Sequence, residues 1–539
     1  MKKTTKLRAA AIAAGVLFAA AVFAACPGVE ATPIAPEARF FPEPGSAGAH
    51  VDGELAIVFD EAPALNRDGA EVRIYDAWDG TLAAAIPLSG ARLLMMGTSN
   101  NNHYVGDQLA RIEGNVVYVR IPTWAPQASA SEQNRRRVMQ YDREYRVEIA
   151  DGVITGRIDG EAFVGVSGRD WTFATRSAPT LSEAVPVTVD RSRDSDADFR
   201  SVFGAMEAVS GRGGSWTIHV APGVYNELVN YNAGANVAVV GRGSAPFGGD
   251  VVIRWTNNQQ MNEGTHLRAS FRFSGADLVL KNVALENATR RTGSGNWQAE
   301  TLFFANGAPT AANPRGRTVA AYNSSFLSYQ DTVQTTGRAW FYRCRVEGDL
   351  DYVWGTSEAT LVESCELVSL RDPMRNDANA IVFVSRAQNR DGFIGKGYVL
   401  LNSRVTTMPG AVTRFARNVG ANGVDQVAVI NNVFLNVGTG TVNPNPWSGG
   451  THVTGGFPPE SVGLKTFGNS MEDGSPLALS GPTHSVMAEE HVAAEYGGRR
   501  AILNRWFNVA SGEYADRVEW DIGALETLFG AGPDPSRRP

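Results

Sequence analysis

Cysteine is scarce, with three in 539 residues, at Cys26, Cys344 and Cys365. If Cys344 pairs with Cys365 in an oxidising compartment, Cys26 is the odd one left over. The seven histidines are scattered and no His-Glu-x-x-His occurs, which removes the usual zinc-hydrolase pattern. No Gly-x-Ser-x-Gly elbow and no glycine-rich loop carrying Lys and Ser/Thr is present, so the serine-hydrolase and P-loop readings also lose their support. Cofactor and metal are not expected. The net charge of −7 lacks the basic footprint of a nucleic-acid binder. Helical periodicity is confined to short pieces such as 199–209.

The chain starts with Lys2, Lys3, Lys6 and Arg8, followed by an Ala-rich apolar stretch over 9–25. This is the plan of a secretory signal and is short for a membrane span. Phe23-Ala24-Ala25-Cys26 ends it. Small residues before a cysteine resemble a bacterial lipoprotein processing site, so 1–26 is expected to be a leader and Cys26 a lipidation site that attaches the protein to a membrane. The expected location is the outer membrane or cell surface. Cleavage near Ala24 or Ala25 without lipidation would make the protein secreted or periplasmic.

The length predicts two folded units. Over 40–175, short alternating strands such as Val116-Val117-Tyr118-Val119 and Tyr145-Arg146-Val147-Glu148-Ile149 fit an immunoglobulin-like β-sandwich. A Ser-, Ala-, Pro- and Thr-rich linker follows at 176–186. From 187 to 530 the chain keeps returning to short apolar strands, several followed by a small polar residue, one more position and an apolar one. Examples are Ser324-Ser325-Phe326, Cys344-Arg345-Val346, Cys365-Glu366-Leu367 and Ser403-Arg404-Val405. The recurrence every twenty or so residues is that of solenoid coils. Asn282, Asn402 and Asn432 suit repeated corners. The expected fold class is all-β, a right-handed parallel β-helix preceded by the sandwich, with a flexible tail at 531–539. A doubly wound α/β sheet would need amphipathic helices that the pattern lacks.

One coil of this register stacks Asp331, in Tyr329-Gln330-Asp331-Thr332, on Asp351, in Asp351-Tyr352-Val353-Trp354-Gly355. It stacks Cys344 on Cys365 as well, and adjacent strands lie about 4.8 Å apart, within the usual Cα separation of a disulfide. Carboxylates held close cannot both ionise easily, so one becomes an acid while the other stays a base or nucleophile. Gln330, and Gln298 one longer coil earlier, would project amide N–H groups onto the same face and suit a developing oxyanion. A glycosidase also uses two carboxylates, but the flanking glutamines fit acyl transfer better.

These residues resemble the pectin methylesterases (pectinesterases, carbohydrate esterase family 8). The likeness runs in order through Gly223-Val224-Tyr225-Asn226-Glu227, Trp297-Gln298-Ala299, Tyr329-Gln330-Asp331-Thr332, Gly348-Asp349-Leu350-Asp351-Tyr352-Val353-Trp354-Gly355 and Ala494-Glu495-Tyr496-Gly497-Gly498-Arg499-Arg500. The stretch 40–175 is similar to an Ig-like domain that precedes some bacterial members. The resemblance implies that Asp351 attacks the ester carbonyl of methylated galacturonate, that Asp331 is the general acid and base, and that Gln298 and Gln330 hold the oxyanion. It also implies an arginine for Asp351, expected at Arg414 with Arg417 as rival. The family's substrate-stacking Trp corresponds to Ala416. Tyr225, Phe415, Trp354 and Trp447 are the candidates for substrate contact. The expected partner is pectin or methylated polygalacturonate, and the expected state a monomer. The alternatives are an envelope lipoprotein acting on another ester or thioester, and a non-catalytic carbohydrate-binding relative.

Overall fold

The computed structural model describes residues 39–95, 102–124, 137–305, 313–385, 389–418, 426–448, 462–480 and 485–532. The leader with Cys26, and the tail beyond 532, lie outside the described residues.

The N-terminal residues form a four-stranded and a five-stranded sheet, mostly antiparallel. The inner positions of their alternating strands, among them Leu55 and Ile57 on one sheet and Val72, Ile74 and Val147 on the other, share one core. No strand or helix lies between Thr175 and Val187.

From Val187 the chain winds into a parallel β-helix of three sheets, with eleven, nine and nine strands among the described residues. Each complete coil gives one strand to each sheet. One coil supplies Thr318–Tyr322, Ser325–Leu327 and Val333–Thr335, the next Gly337–Tyr342, Arg345–Gly348 and Val353–Trp354. The register pairs Ser325 with Arg345 and Arg345 with Glu366, the twenty- and twenty-one-residue offsets legible in the sequence.

The first sheet reads as nearly continuous apolar runs because both of its faces are covered. Alternate residues such as Val319, Phe341 and Leu400 point into the coil interior. Their neighbours Ala320, Trp340, Leu361 and Val399 pack outward against Tyr496, Ile502 and Phe529 of the C-terminal helices. Arg499 anchors that segment by donating to Glu363 at 2.8 and 2.9 Å. The other weak helical signal becomes Val202–Ser210, capped by Ser201 Oγ, which accepts from Gly204 N.

Two sequence expectations need correction. Cys344 and Cys365 sit on adjacent coils but are free thiols. In-register parallel side chains run side by side, about a strand spacing apart, whereas a disulfide needs Cβ atoms at about 3.8 Å. The sulfurs instead belong to a polar ladder. Cys344 N donates to Cys365 Sγ at 3.3 Å, Cys365 N to Ser403 Oγ at 3.0 Å, Ser403 N to Asn432 Oδ1 at 2.8 Å, and Asn432 N to Asn469 Oδ1 at 3.0 Å. Asn432 is therefore a ladder residue. The left-handed corner falls on Asn431, as it does on Asn282 and Asn402.

Candidate active site

Gln298, Asp331 and Asp351 share one corner of three successive coils, between a second-sheet strand and the third-sheet strand that follows. The flanking pairs are Ala284–Asn287 and Leu302–Ala305, Ser325–Leu327 and Val333–Thr335, and Arg345–Gly348 and Val353–Trp354. Gln330 bridges Leu350 in parallel, and Asp331 N donates to Leu350 O at 3.0 Å. The aspartates are therefore stacked. Both turn the chain in the left-handed region, with φ of 62° and 53°, which Asp tolerates better than most residues.

Their surroundings differ. Asp351 is clamped by Arg417, whose Nε donates to Oδ1 at 2.7 Å and whose terminal nitrogen donates to Oδ2. A bidentate guanidinium fixes the orientation of the carboxylate it holds. Asp331 is 2 % exposed. Its Oδ2 accepts from Gln298 Nε2 at 2.7 Å and from Arg268 at 3.3 Å, while Oδ1 is buried with no hydrogen-bond partner among the described residues. Burial first, then the charges of Glu300 and Asp351, push the Asp331 carboxyl well above its usual range, against the opposing pull of Arg268 and Gln298.

The glutamine amides are oriented by arginines, which can only donate. Arg268 donates to Gln298 Oε1, so the Gln298 amide nitrogen must face Asp331. Gln330 Oε1 accepts from Arg291 at 2.9 Å, and Arg291 is held by Asp372 at 2.6 Å. Trp297, Tyr329, Gln330 and Asp372 line a small recess there. Trp354 is half-buried over the same corner, its Nε1 donating to Asp331 O at 3.3 Å.

Other candidates lie elsewhere. Arg414 donates to Asn379 Oδ1 and Asn445 O, both at 2.8 Å, so the arginine on Asp351 is Arg417. Phe415 is buried and stacked on Phe434 with ring centroids 5.1 Å apart. Tyr225 is also buried, its hydroxyl spent on Ala221 O at 2.8 Å. Trp447 is 3 % exposed, in register with the buried Ala416. None of these three aromatics presents a free face, because each fills the coil interior. Sequence reasoning missed Arg268, Glu300, Arg291 and Asp372. Glu300 carried a signal, standing two positions after Gln298 at the same corner; Arg268 carried none.

The family model described as Pectinesterase matches residues 187–418, the segment that holds every residue of this corner. The chain is 27% identical over 252 residues to a putative pectinesterase/pectinesterase inhibitor of Arabidopsis thaliana, covering 45% of this chain and 48% of that protein. It is 26% identical over 215 residues to a pectinesterase of Petunia integrifolia, covering 39% and 51%. The chain thus spans about half the length of these relatives. Among solved structures, a pectin methylesterase from carrot aligns at 18% identity and a TM-score of 0.46, over 60% of this chain and 95% of that one. One from Erwinia chrysanthemi aligns at the same identity and score, over 60% and 98%. The matched segment ends one residue past Arg417.

Proposed function

We propose that this protein is a pectinesterase that hydrolyses the methyl esters of polygalacturonate. The observation that carries the reading is the stacked pair Asp331 and Asp351 with opposite surroundings, one desolvated beside other carboxylates and one clamped by Arg417. In this mechanism the Asp351 carboxylate attacks the ester carbonyl. The bond to the methoxy oxygen breaks as Asp331 transfers its proton to that oxygen, leaving methanol and an acyl-enzyme on Asp351. Asp331, now a carboxylate, takes a proton from water, and the resulting hydroxide attacks the acyl carbon. The bond from the acyl carbon to the Asp351 oxygen then breaks, which restores the Asp351 carboxylate and frees a galacturonic acid that gives its proton to solvent, with Asp331 again protonated. The Gln330 amide N–H groups and the second Gln298 N–H would meet the oxyanion. The Ig-like character of the N-terminal sheets, export of the protein and lipidation at Cys26 are proposed from sequence alone.

The test is methanol release from highly methylated pectin by the folded protein and by its Asp331→Asn and Asp351→Asn variants. Release by the parent alone, without new reducing ends or unsaturated products, supports the reading. Turnover by the double variant would overturn the site.

A further inference from the structure

Arg268 is buried and spends every side-chain nitrogen at this corner. Its Nε donates to both Glu300 oxygens, at 2.9 and 2.8 Å, and one terminal nitrogen reaches Glu300 Oε1 at 2.7 Å and Asp331 Oδ2 at 3.3 Å. The other terminal nitrogen donates to Gln259 Oε1 at 2.8 Å and to Gln298 Oε1. Glu300 is fully buried, and Glu300 O accepts from Ser270 N at 2.9 Å and Asn287 Nδ2 at 3.0 Å. Glu300 lies one coil before Asp331 and Arg268 two, and the pair needs no contact with an ester.

The charges facing Asp331 are Glu300 and Arg268 on the earlier coils and Asp351 and Arg417 on the later ones. With all groups ionised, three carboxylates would face two guanidiniums in a nearly dry corner. One proton restores balance. Glu300 has both oxygens engaged by Arg268 and Asp351 has both engaged by Arg417, whereas Asp331 Oδ1 has no partner among the described residues. That oxygen is where the proton fits.

We propose that Arg268 and Glu300 are a paired positioning unit, in which Arg268 turns the Gln298 amide toward Asp331 and Glu300 cancels the Arg268 charge so that Asp331 Oδ1 keeps the proton destined for the leaving alcohol. The proposal rests on the esterase reading for what the proton does, but not for where it sits. Without Glu300, the Arg268 cation faces Asp331 uncompensated and draws out its ionised form. Without Arg268, Glu300 is a buried unpaired charge and the Gln298 amide loses the group that fixes its orientation.

The experiment combines infrared titration of the carboxylic-acid band with the pH profile of methanol release, using the full folded chain, Asp331→Asn, Glu300→Gln and the double variant Arg268→Gln/Glu300→Gln. The wild type is expected to show an acid band at neutral pH that Asp331→Asn removes. In Glu300→Gln that band should titrate roughly one pH unit lower or more, and the alkaline limb of kcat/KM should move with it while KM changes little. The double variant, free of the Arg268–Glu300 charges, should keep the band but lose roughly tenfold or more in kcat as Gln298 comes adrift. A band removed by Glu300→Gln instead of Asp331→Asn would overturn the proposal, as would an unshifted titration in Glu300→Gln. Because the band is read without turnover, failure to release methanol would count against the esterase reading alone.

Discussion

Arg417 holds both carboxylate oxygens of Asp351 from 66 positions downstream. Arg414, three residues earlier on the same strand, Val412–Asn418, turns to Asn379 and the backbone of Asn445. The strand brings both cations to the same sheet, but only Arg417 reaches the carboxylate that is proposed to attack. Arg417→Ala should therefore lower kcat/KM for methanol release by roughly 100-fold or more, as expected when a preorganised charge partner is removed. Arg414→Ala should stay within a few-fold of wild type. Equal losses in the two variants would show that the clamp plays no special part.

The two thiols give a chemical test of the polar ladder. Because Cys344 and Cys365 are buried and unlinked, a thiol reagent should modify neither in the folded protein and both after denaturation, with no reductant added. Cys365→Ser keeps an acceptor for Cys344 N and should be nearly neutral. Cys365→Ala removes that acceptor and should cost roughly 1–3 kcal/mol in urea unfolding. Thiols that appear only after reduction would contradict the free pair.

How much of this was legible depends on the range over which each feature is set. The coil register was readable because it is local and repeats, from Ser325 to Arg345 to Glu366. The same register stacks Asp331 on Asp351. It also suggested a disulfide, and failed there because the register gives Cα separation but not the direction of the Cβ bonds. Arg268 escaped notice because its partners Gln259, Gln298, Glu300 and Asp331 converge only after the coils have stacked. The aromatics misled for a similar reason. An inward Phe415 and an outward aromatic look alike in sequence when a strand is covered on both faces.

Asp349 provides a pH test of stability separate from the reaction. It is 1 % exposed, and burial raises its carboxyl to about 6 despite the Arg375 contact at 2.9 Å. In the unfolded chain the value is about 3.9. Between these values the folded state holds the extra proton, so the contribution is fully present below about pH 4 and is lost as pH rises through about 6. The loss is roughly 2–3 kcal/mol at the 1.36 kcal/mol that each unit represents. Urea unfolding of Asp349→Asn between pH 4 and 7 should show a flatter profile than wild type over that window. Parallel profiles would sink the assignment.

Trp354 is the one sequence-predicted aromatic that remains half-buried at the carboxylate corner. Arg268 lies 5.9 Å from its ring centroid, which ties the ring to the same cluster that holds Asp331. A sugar ring laid across this corner would meet an aromatic face here, while Tyr225, Phe415 and Trp447 are closed inside the coil. Trp354→Ala should therefore raise KM for methylated pectin, roughly tenfold for the 1.4 kcal/mol that a lost aromatic contact can represent. The effect on kcat should be smaller. Trp354→Phe keeps a face but loses the hydrogen bond to Asp331 O, and should fall between the two. If Trp354→Ala instead lowered kcat at unchanged KM, the ring would be supporting the Asp331 turn, and substrate would have to find its aromatic contact elsewhere.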